Sequence, residues 1–298
     1  MTVEINEEHL IPLKPGQSVG RGWLKPTDNQ PKGVTWHWTV TRDLATCRRL
    51  LGGANALRKG VASAHYCVGR TIEEGIDRYV ALDNRSWHAG MNQTLRWDGG
   101  KSTQDFKGAR ATIGIETVNI GYATSQFPAD DDWIDAATPN GKHERKIQPW
   151  TEEQIAMMIQ VGKEIVARWP HIGPRDHHGH HDVCPGYKED VAGFPFARVL
   201  RGIYEQPAIP DVWSGLWRPI GRQRALVALS FDLGTSGTNG DGADGQWGRL
   251  SDAALLDFQE SRGQIANGMW STFTCWAIHE ALQDSGLDLD AVTYGSGQ

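Results

Sequence analysis

Residues 33–40, "GVTWHWTV", alternate without a break. A strand turns successive side chains to opposite faces, so Val34, Trp36, Trp38 and Val40 share one face and Thr35, His37 and Thr39 the other. Two tryptophans and two valines on one face need a deep apolar layer to cover them. A histidine between two threonines needs polar surroundings. The chain must therefore build a sheet with a core under one face and a polar cleft over the other, into which His37 points.

The flanking sequence supplies the rest of such a sheet. Thr41 is placed to cap a helix in which Leu44, Cys47 and Leu51 recur at helical spacing, stopped by Gly52-Gly53. Residues 62–69 and 76–82 read as two strands of a hairpin-like pair. Residues 111–120 read as another strand, with Thr112, Gly114 and Glu116 on one face and Ile113 and Ile115 on the buried one. The clearest helix spans 150–170. Thr151 and Gln154 suggest a capping box, Ile155, Met158, Ile165 and Trp169 form an apolar stripe, and Pro170 ends it.

Beyond this the texture changes. Residues 206–216 contain two prolines and are expected to link a first domain, 1–205, to a second, 217–290. The second contains a short repeat: 244–255 and 267–278 share Asp/Asn-Gly-x-Trp with a hydroxyl residue four positions after the tryptophan. Each copy predicts a tight turn feeding a helix, and with 221–229 they predict a three-helix unit. The fold class expected is α/β, a mixed central sheet flanked by helices, followed by a small all-α domain.

Composition narrows the function. With 39% hydrophobic and 22% charged residues the chain is that of a soluble globular protein. Its net charge of −6 provides no basic field to attract nucleic acid or anionic lipid. No apolar stretch is long enough for a membrane span, and the acidic start is unlike a secretory signal. Cys47, Cys67, Cys184 and Cys275 are scattered, which fits free thiols made in a reducing cytosol. Thirteen tryptophans against six tyrosines suit either stacking on sugar rings or a tryptophan-rich core. A monomer is expected.

One stretch concentrates chemistry: "HHGHHDVCPGYKED", 177–190. It reads either as a solvated turn or as part of a metal site. Hydrolytic zinc sites keep three protein ligands and leave a fourth position to water. His180 follows Gly179, as at a strand end entering a cleft. If 186–190 runs extended, Gly186, Lys188 and Asp190 point the same way, and His37 would supply the third ligand. His177, His178, His181 and Cys184 compete with His180. As non-ligands, the three histidines are expected at the cleft rim or in solvent, and Cys184 as a packed thiol. The acidic, glycine-rich stretch 238–245 lacks a terminal glutamate for calcium, so it reads as a turn.

The stretch resembles the C-terminal signature of the zinc-dependent N-acetylmuramoyl-L-alanine amidases of type 2, which have the peptidoglycan-recognition-protein fold. The match lies at Gly179, His180, Asp182, Val183, Pro185, Lys188 and Asp190. His37, "SAHY" (63–66), "WHAG" (87–90) and "IGIE" (113–116) stand in the family's order, so the resemblance covers roughly residues 20–200. Tyr187, Val191 and Ala109 depart from the usual pattern, which bears on substrate subtype.

The resemblance implies a zinc ion held by His37, His180 and Asp190, a catalytic carboxylate at Glu116 and a catalytic lysine at Lys188. His65, Trp87, His88 and Asn119 are candidate substrate-binding residues, with a structural role the main alternative for His65 and an equal one for His88. Asp182 is expected to orient its neighbours by hydrogen bonds. The C-terminal unit, through "DGQWG" and "AALLDFQ", resembles a small helical peptidoglycan-binding domain. Bacterial peptidoglycan is then the partner. A wall hydrolase with a wall-binding unit and no export signal has the layout of a phage endolysin, made in the host cytoplasm and acting on the wall after release. A wall-remodelling or recycling amidase, a secreted effector and a non-cutting muropeptide receptor on the same fold are the alternatives.

Overall fold

The structure, a computed structural model, describes residues 2–13, 30–52, 62–89, 94–98, 101–107, 109, 111–138, 143–184, 186 and 188–295. Gly53, Gly90, Pro185 and Tyr187, which the sequence reading invoked, lie outside the described residues. In chain order the strands are β1 (Ile5–Asn6), β2 (Gly33–Trp38), β3 (Tyr66–Val68), β4 (Ile76–Arg78), β5 (Thr94–Asp98), β6 (Lys101–Lys107), β7 (Thr112–Thr117), β8 (Ile134–Ala137), β9 (Glu144–Ile147) and β10 (His177–Gly179). The helices are α1 (Leu44–Leu51), α2 (Glu152–Arg168), α3 (His180–Val183), α4 (Phe196–Tyr204), α5 (Pro219–Ala228), α6 (Arg249–Ser261), α7 (Thr272–Asp284) and α8 (Leu289–Tyr294).

Six strands form one mixed sheet in the order β1-β4-β3-β7-β2-β10. Within this sheet only β3 and β4 pair antiparallel; β3, β7, β2 and β10 run parallel. The alternation of β2 sets the two faces. Val34, Trp36 and Trp38 turn into the main core with Ile113 and Ile115 of β7 and Tyr66 and Val68 of β3, beneath Ile155, Met158 and Ile165 of α2. A fully buried tryptophan such as Trp36 contributes on the order of 3–5 kcal/mol against alanine. Val40 leaves the pattern: its φ of 53° is left-handed and its side chain is exposed.

Two caps differ from expectation. Asp43, not Thr41, caps α1 by accepting from the Thr46 amide, while Thr41 bonds to the Thr39 hydroxyl. Both are good capping residues two positions apart, and the one adjoining the first turn takes the role. At α2 only half of a capping box forms. Thr151 accepts from the Gln154 amide, but the Gln154 side chain reaches into the sheet and donates to the Val118 carbonyl at 2.9 Å.

In the C-terminal helices the repeat has a clear physical basis. Gly245 and Gly268 hold equivalent left-handed positions (φ 79° and 68°). A buried glutamine on the preceding helix clasps each turn. Gln223 accepts from the Gly245 amide and donates to the Gln246 carbonyl and the Ser251 hydroxyl. Gln259 accepts from the Asn267 and Gly268 amides and donates to the Met269 carbonyl and the Thr274 hydroxyl. The hydroxyl four residues after each tryptophan is thus the far end of the clasp. In 238–245 the Asp241 and Asp244 carboxylates accept from the Ala243 and Gln246 amides, as turn formers do.

The segment expected as a linker carries core side chains: Ile209, Val212, Trp213 and Leu216 are buried. One apolar cluster runs from the sheet through them into α5, α6 and α7. Arg222 of α5 is fully buried and has no carboxylate partner among the described residues. It donates to the Leu216 carbonyl at 2.7 Å, lies at 3.4–3.5 Å from the Ala137 and Thr138 carbonyls, and stacks on Trp270. From the other side, the Asp182 carboxylate accepts from the amide and the hydroxyl of Thr272, both at 2.7 Å.

Deleting residues 217–298 is therefore expected to abolish cooperative folding. The deletion strips Asp182 of both bonds from Thr272, and a hydrogen bond to a charged group is worth about 1.5–3 kcal/mol, against a total stability of about 5–15 kcal/mol, before any loss of apolar cover. A truncated chain that still melted in one sharp transition by circular dichroism would contradict this. No described helix is long and apolar enough to cross a membrane.

Candidate metal centre

The second face of the sheet carries the site. His37 of β2 and Glu116 of β7 are direct cross-strand neighbours, so their side chains rise from the same face near the carboxyl ends of parallel strands. Ligands commonly bind at such strand ends in open α/β sheets. Beside them β10 ends at Gly179, level with Trp36, and the chain turns at once into the short helix α3. His180, the first residue of α3, is thereby delivered next to His37.

The loop that follows is tied back at both ends. The Lys188 amide donates to the Cys184 carbonyl at 3.0 Å, and the His181 amide donates to the Asp190 carbonyl at 2.8 Å. The described residues Gly186 and Asp190 depart from the extended run expected: Gly186 takes a left-handed φ of 77° and Asp190 lies in a turn. It is this closed loop, and not alternation along a strand, that brings Asp190 to the histidines.

Three ligating atoms converge. His37 Nδ1 is 2.9 Å from His180 Nδ1 and 3.2 Å from Asp190 Oδ2, and His180 Nδ1 is 3.1 Å from the same oxygen. All three residues are buried, and among the described residues theirs is the only such cluster of His, Cys, Asp or Glu ligand atoms. Hydrogen bonds alone serve this triangle poorly, because two ring nitrogens and a carboxylate oxygen crowd a single point where one proton can sit. A tetrahedral cation with bonds of about 2.0–2.1 Å holds its ligand atoms about 3.3 Å apart, close to the spacing here. The donor set, two imidazoles and a carboxylate, is that of a hydrolytic metal site. These residues fit a metal ion.

The electrostatics are those of a tightly coupled cluster. Burial and the neighbouring His180 lower the pKa of His37 to about 4. Burial would also lower His180, but the Asp190 carboxylate outweighs it and raises the imidazole to about 9. Burial works against ionised Asp190, yet the two histidines hold its carboxyl well below the usual range. Glu116 is half-buried and pushed up to about 8, first by burial and then by the charge of Asp190. The Lys188 ammonium lies close enough to act on both His37 and Glu116.

The other candidates fall into place around this centre. Both ring nitrogens of His65 point into the protein, Nε2 to the Asn84 carbonyl and Nδ1 to the Ser86 hydroxyl and the Gly114 amide. Asn119 is fully buried, and its amide ties the end of β7 to backbone at Gln148 and Gly121. Neither presents a polar atom to a substrate. Trp87 is partly exposed. His88 is buried against His37, its Nδ1 2.9 Å from His37 Nε2. Cys184 is a buried free thiol packed with Ala89, Ala109 and Val183.

The remaining histidines correct the expectation of a cleft rim or solvent. His177, His178 and His181 are all buried, because later segments of the chain cover the edge strand β10 and the start of α3. His177 lies between Trp36 and the Tyr204 hydroxyl, and His178 stacks near Phe273 of α7. His181 has its Nδ1 2.9 Å from the Asp190 carbonyl and its Nε2 3.2 Å from Asp182. It thus links the carboxylate that grips α7 to the backbone of Asp190 in the buried cluster. Sequence reasoning missed this role of His181, since adjacent histidines carry no signal that separates a ligand from its support.

No curated protein matches the chain. Among solved structures, the N-acetylmuramyl-L-alanine amidase AmiD from E. coli, in complex with the substrate anhydro-N-acetylmuramic acid-L-Ala-D-γ-Glu-L-Lys, is 22% identical, with coverage of 87% of this chain and 91% of that one and a TM-score of 0.47. AmpDH3 from Pseudomonas aeruginosa is 22% identical over 88% of this chain and 95% of that one, with a TM-score of 0.43. The PlyG catalytic domain is 14% identical over 70% and 98%, with a TM-score of 0.42. The family described as N-acetylmuramoyl-L-alanine amidase matches residues 27–190, more than half of the chain and the whole stretch from His37 to Asp190. With that match laid over the buried His37, His180 and Asp190, the chain belongs to the N-acetylmuramoyl-L-alanine amidase family.

Proposed function

We propose that this chain is a zinc-dependent hydrolase of bacterial peptidoglycan, cutting the amide between the lactyl group of N-acetylmuramic acid and the L-alanine of the stem peptide. The observation that carries this reading is the buried triangle of His37, His180 and Asp190 with Glu116 as the cross-strand neighbour of His37. Zinc in that triangle would supply Lewis acidity, lowering the pKa of water towards about 7 and polarising the scissile carbonyl. Glu116, whose carboxyl burial pushes up to about 8, takes a proton from the attacking water and passes it to the departing amine of L-alanine. Lys188 stands ready to hold the oxyanion as the carbonyl carbon becomes tetrahedral. A receptor that bound muropeptides without cutting them would need neither group.

The test is mass spectrometry of purified sacculi after digestion. Free stem peptides beginning at L-alanine, with glycan strands intact, are the expected products, and chelator should stop their release until zinc is restored. Cut glycan, or full release in the presence of chelator, would overturn the reading.

We propose further that the C-terminal helices hold the enzyme on the wall, the layout of a phage endolysin that reaches peptidoglycan after release from the host cytoplasm. Support comes from the resemblance of this unit to peptidoglycan-binding domains, and tethering raises effective concentration at an insoluble substrate. Full-length Glu116→Gln protein should pellet with sacculi even when excess soluble muropeptide fills the active site. Complete release by that competitor would leave the helices without an anchoring role.

A further inference from the structure

His88 was open to two readings, substrate contact or support, and its surroundings decide between them. Its Nε2 lies 3.0 Å from the Thr112 carbonyl oxygen, an atom that can only accept. The Thr112 hydroxyl oxygen, 3.4 Å away, already accepts from Thr35 and adds a second acceptor for the same N–H. His88 Nε2 therefore carries a proton. A neutral imidazole has one donor nitrogen and one acceptor nitrogen. Nδ1 is then a bare acceptor, facing His37 Nε2 at 2.9 Å. His37 must donate there. A neutral His37 that donates there has no proton left for Nδ1, the atom that points at His180 and Asp190.

We propose that His88 is a positioning residue: a one-way relay from His37 through His88 to the Thr112 carbonyl fixes the tautomer and ring orientation of His37, so that its bare Nδ1 faces the metal. This rests on the metal-centre reading above. Both polar atoms of His88 are spent in the relay, and none remains for substrate.

Gly114 is the second part of the device. It lies beneath the His88 ring, and a Cβ there would sit 2.2 Å from His88 Cγ and 2.6 Å from its Nδ1. Its amide meanwhile donates to His65 Nδ1, and its carbonyl accepts from the His65 amide. His65 thus pins this point of β7, and the missing side chain of Gly114 leaves the space in which His88 lies flat. The motif "IGIE" has its glycine where the support of a ligand needs room.

The test uses the full chain and reads zinc affinity by competition with a chromogenic chelator, together with imidazole nitrogen NMR of the chelator-stripped protein. Wild type should show His37 as a single Nε2–H tautomer. His88→Leu, which fills the space without an acceptor, should lose that single tautomer and bind zinc roughly 10–100-fold more weakly. His88→Asn, which puts an acceptor oxygen near the place of Nδ1, should recover most of the affinity. Gly114→Ala, which touches no ligand, should weaken zinc as His88→Leu does. A role in packing alone predicts the reverse order, with Leu at least as good as Asn, and that result overturns the proposal. So does wild-type zinc affinity in His88→Leu. His37→Ala serves as the control: undiminished zinc binding there would bring down the metal-centre reading itself, whereas a loss in His37→Ala with none in His88→Leu removes the relay alone.

Discussion

Glu116→Gln is expected to fold, to keep its metal and to lose about 10²–10⁴-fold in turnover. The carboxamide matches the carboxylate in shape but cannot take a proton, and Glu116 is not among the three converging ligands. Lys188→Ala should lose about 10²–10³-fold, or about 2.7–4 kcal/mol of transition-state stabilisation, with the metal again retained. The two losses should differ in character. Glu116→Gln should flatten the rise of rate with pH that ionisation of a buried carboxyl base imposes, and Lys188→Ala should leave that rise in place. Turnover of a soluble muropeptide, measured beside metal content, checks both. Near-normal turnover in either variant would remove that residue from its role.

Acid is expected to unfold this protein steeply. His65 and His178 are buried neutral, and burial lowers each to about 4; burial and His178 lower His177 to about 3. In the unfolded chain all three take a proton near pH 6.5. Below that pH the unfolded state binds more protons than the folded one, so stability falls as pH falls, until the folded-state values are reached. Each group contributes about 1.4 kcal/mol per pH unit. Across the window from pH 6.5 to about 4 the three together approach the whole stability of a domain, about 5–15 kcal/mol. Urea melts of chelator-stripped protein from pH 7.5 to 4.5 separate this from loss of metal. A midpoint that stayed level across that range would mean that these histidines are not held neutral.

Much of the framework could be read from periodicity. The alternation of 33–38 placed the tryptophans in the core and His37 on the other face, and the apolar stripe of 152–168 gave α2. The resemblance of 179–190 to the amidase signature implied the two residues that join His37 in the cluster. What could not be read depends on distant chain. The burial of His177, His178 and His181 is imposed by later chain: Tyr204 packs on the first, Phe273 on the second, and Trp213 and Trp217 on the third. The reach of Gln154 into the sheet competes with its local cap, and only the fold shows which wins. His88 and Asn119 look from the sequence like polar residues beside a cleft. Both turn inward because backbone carbonyls and amides there need partners.

The Asp182–Thr272 grip and the buried Arg222 also bear on how such chains can be recombined. Wall hydrolases invite exchange of their parts, with the seam placed in the proline-containing stretch between them. Here a seam at 206–216 would separate Arg222 from the Ala137 and Thr138 carbonyls, and Asp182 from the helix it caps. A graft that kept only residues 1–205 would inherit a ligand loop whose second support, through His181 and Asp182, ends in a helix left behind. The unit of inheritance in this protein is the sheet together with its C-terminal helices, and a working chimera must carry both or rebuild the carboxylate's partners on the new one.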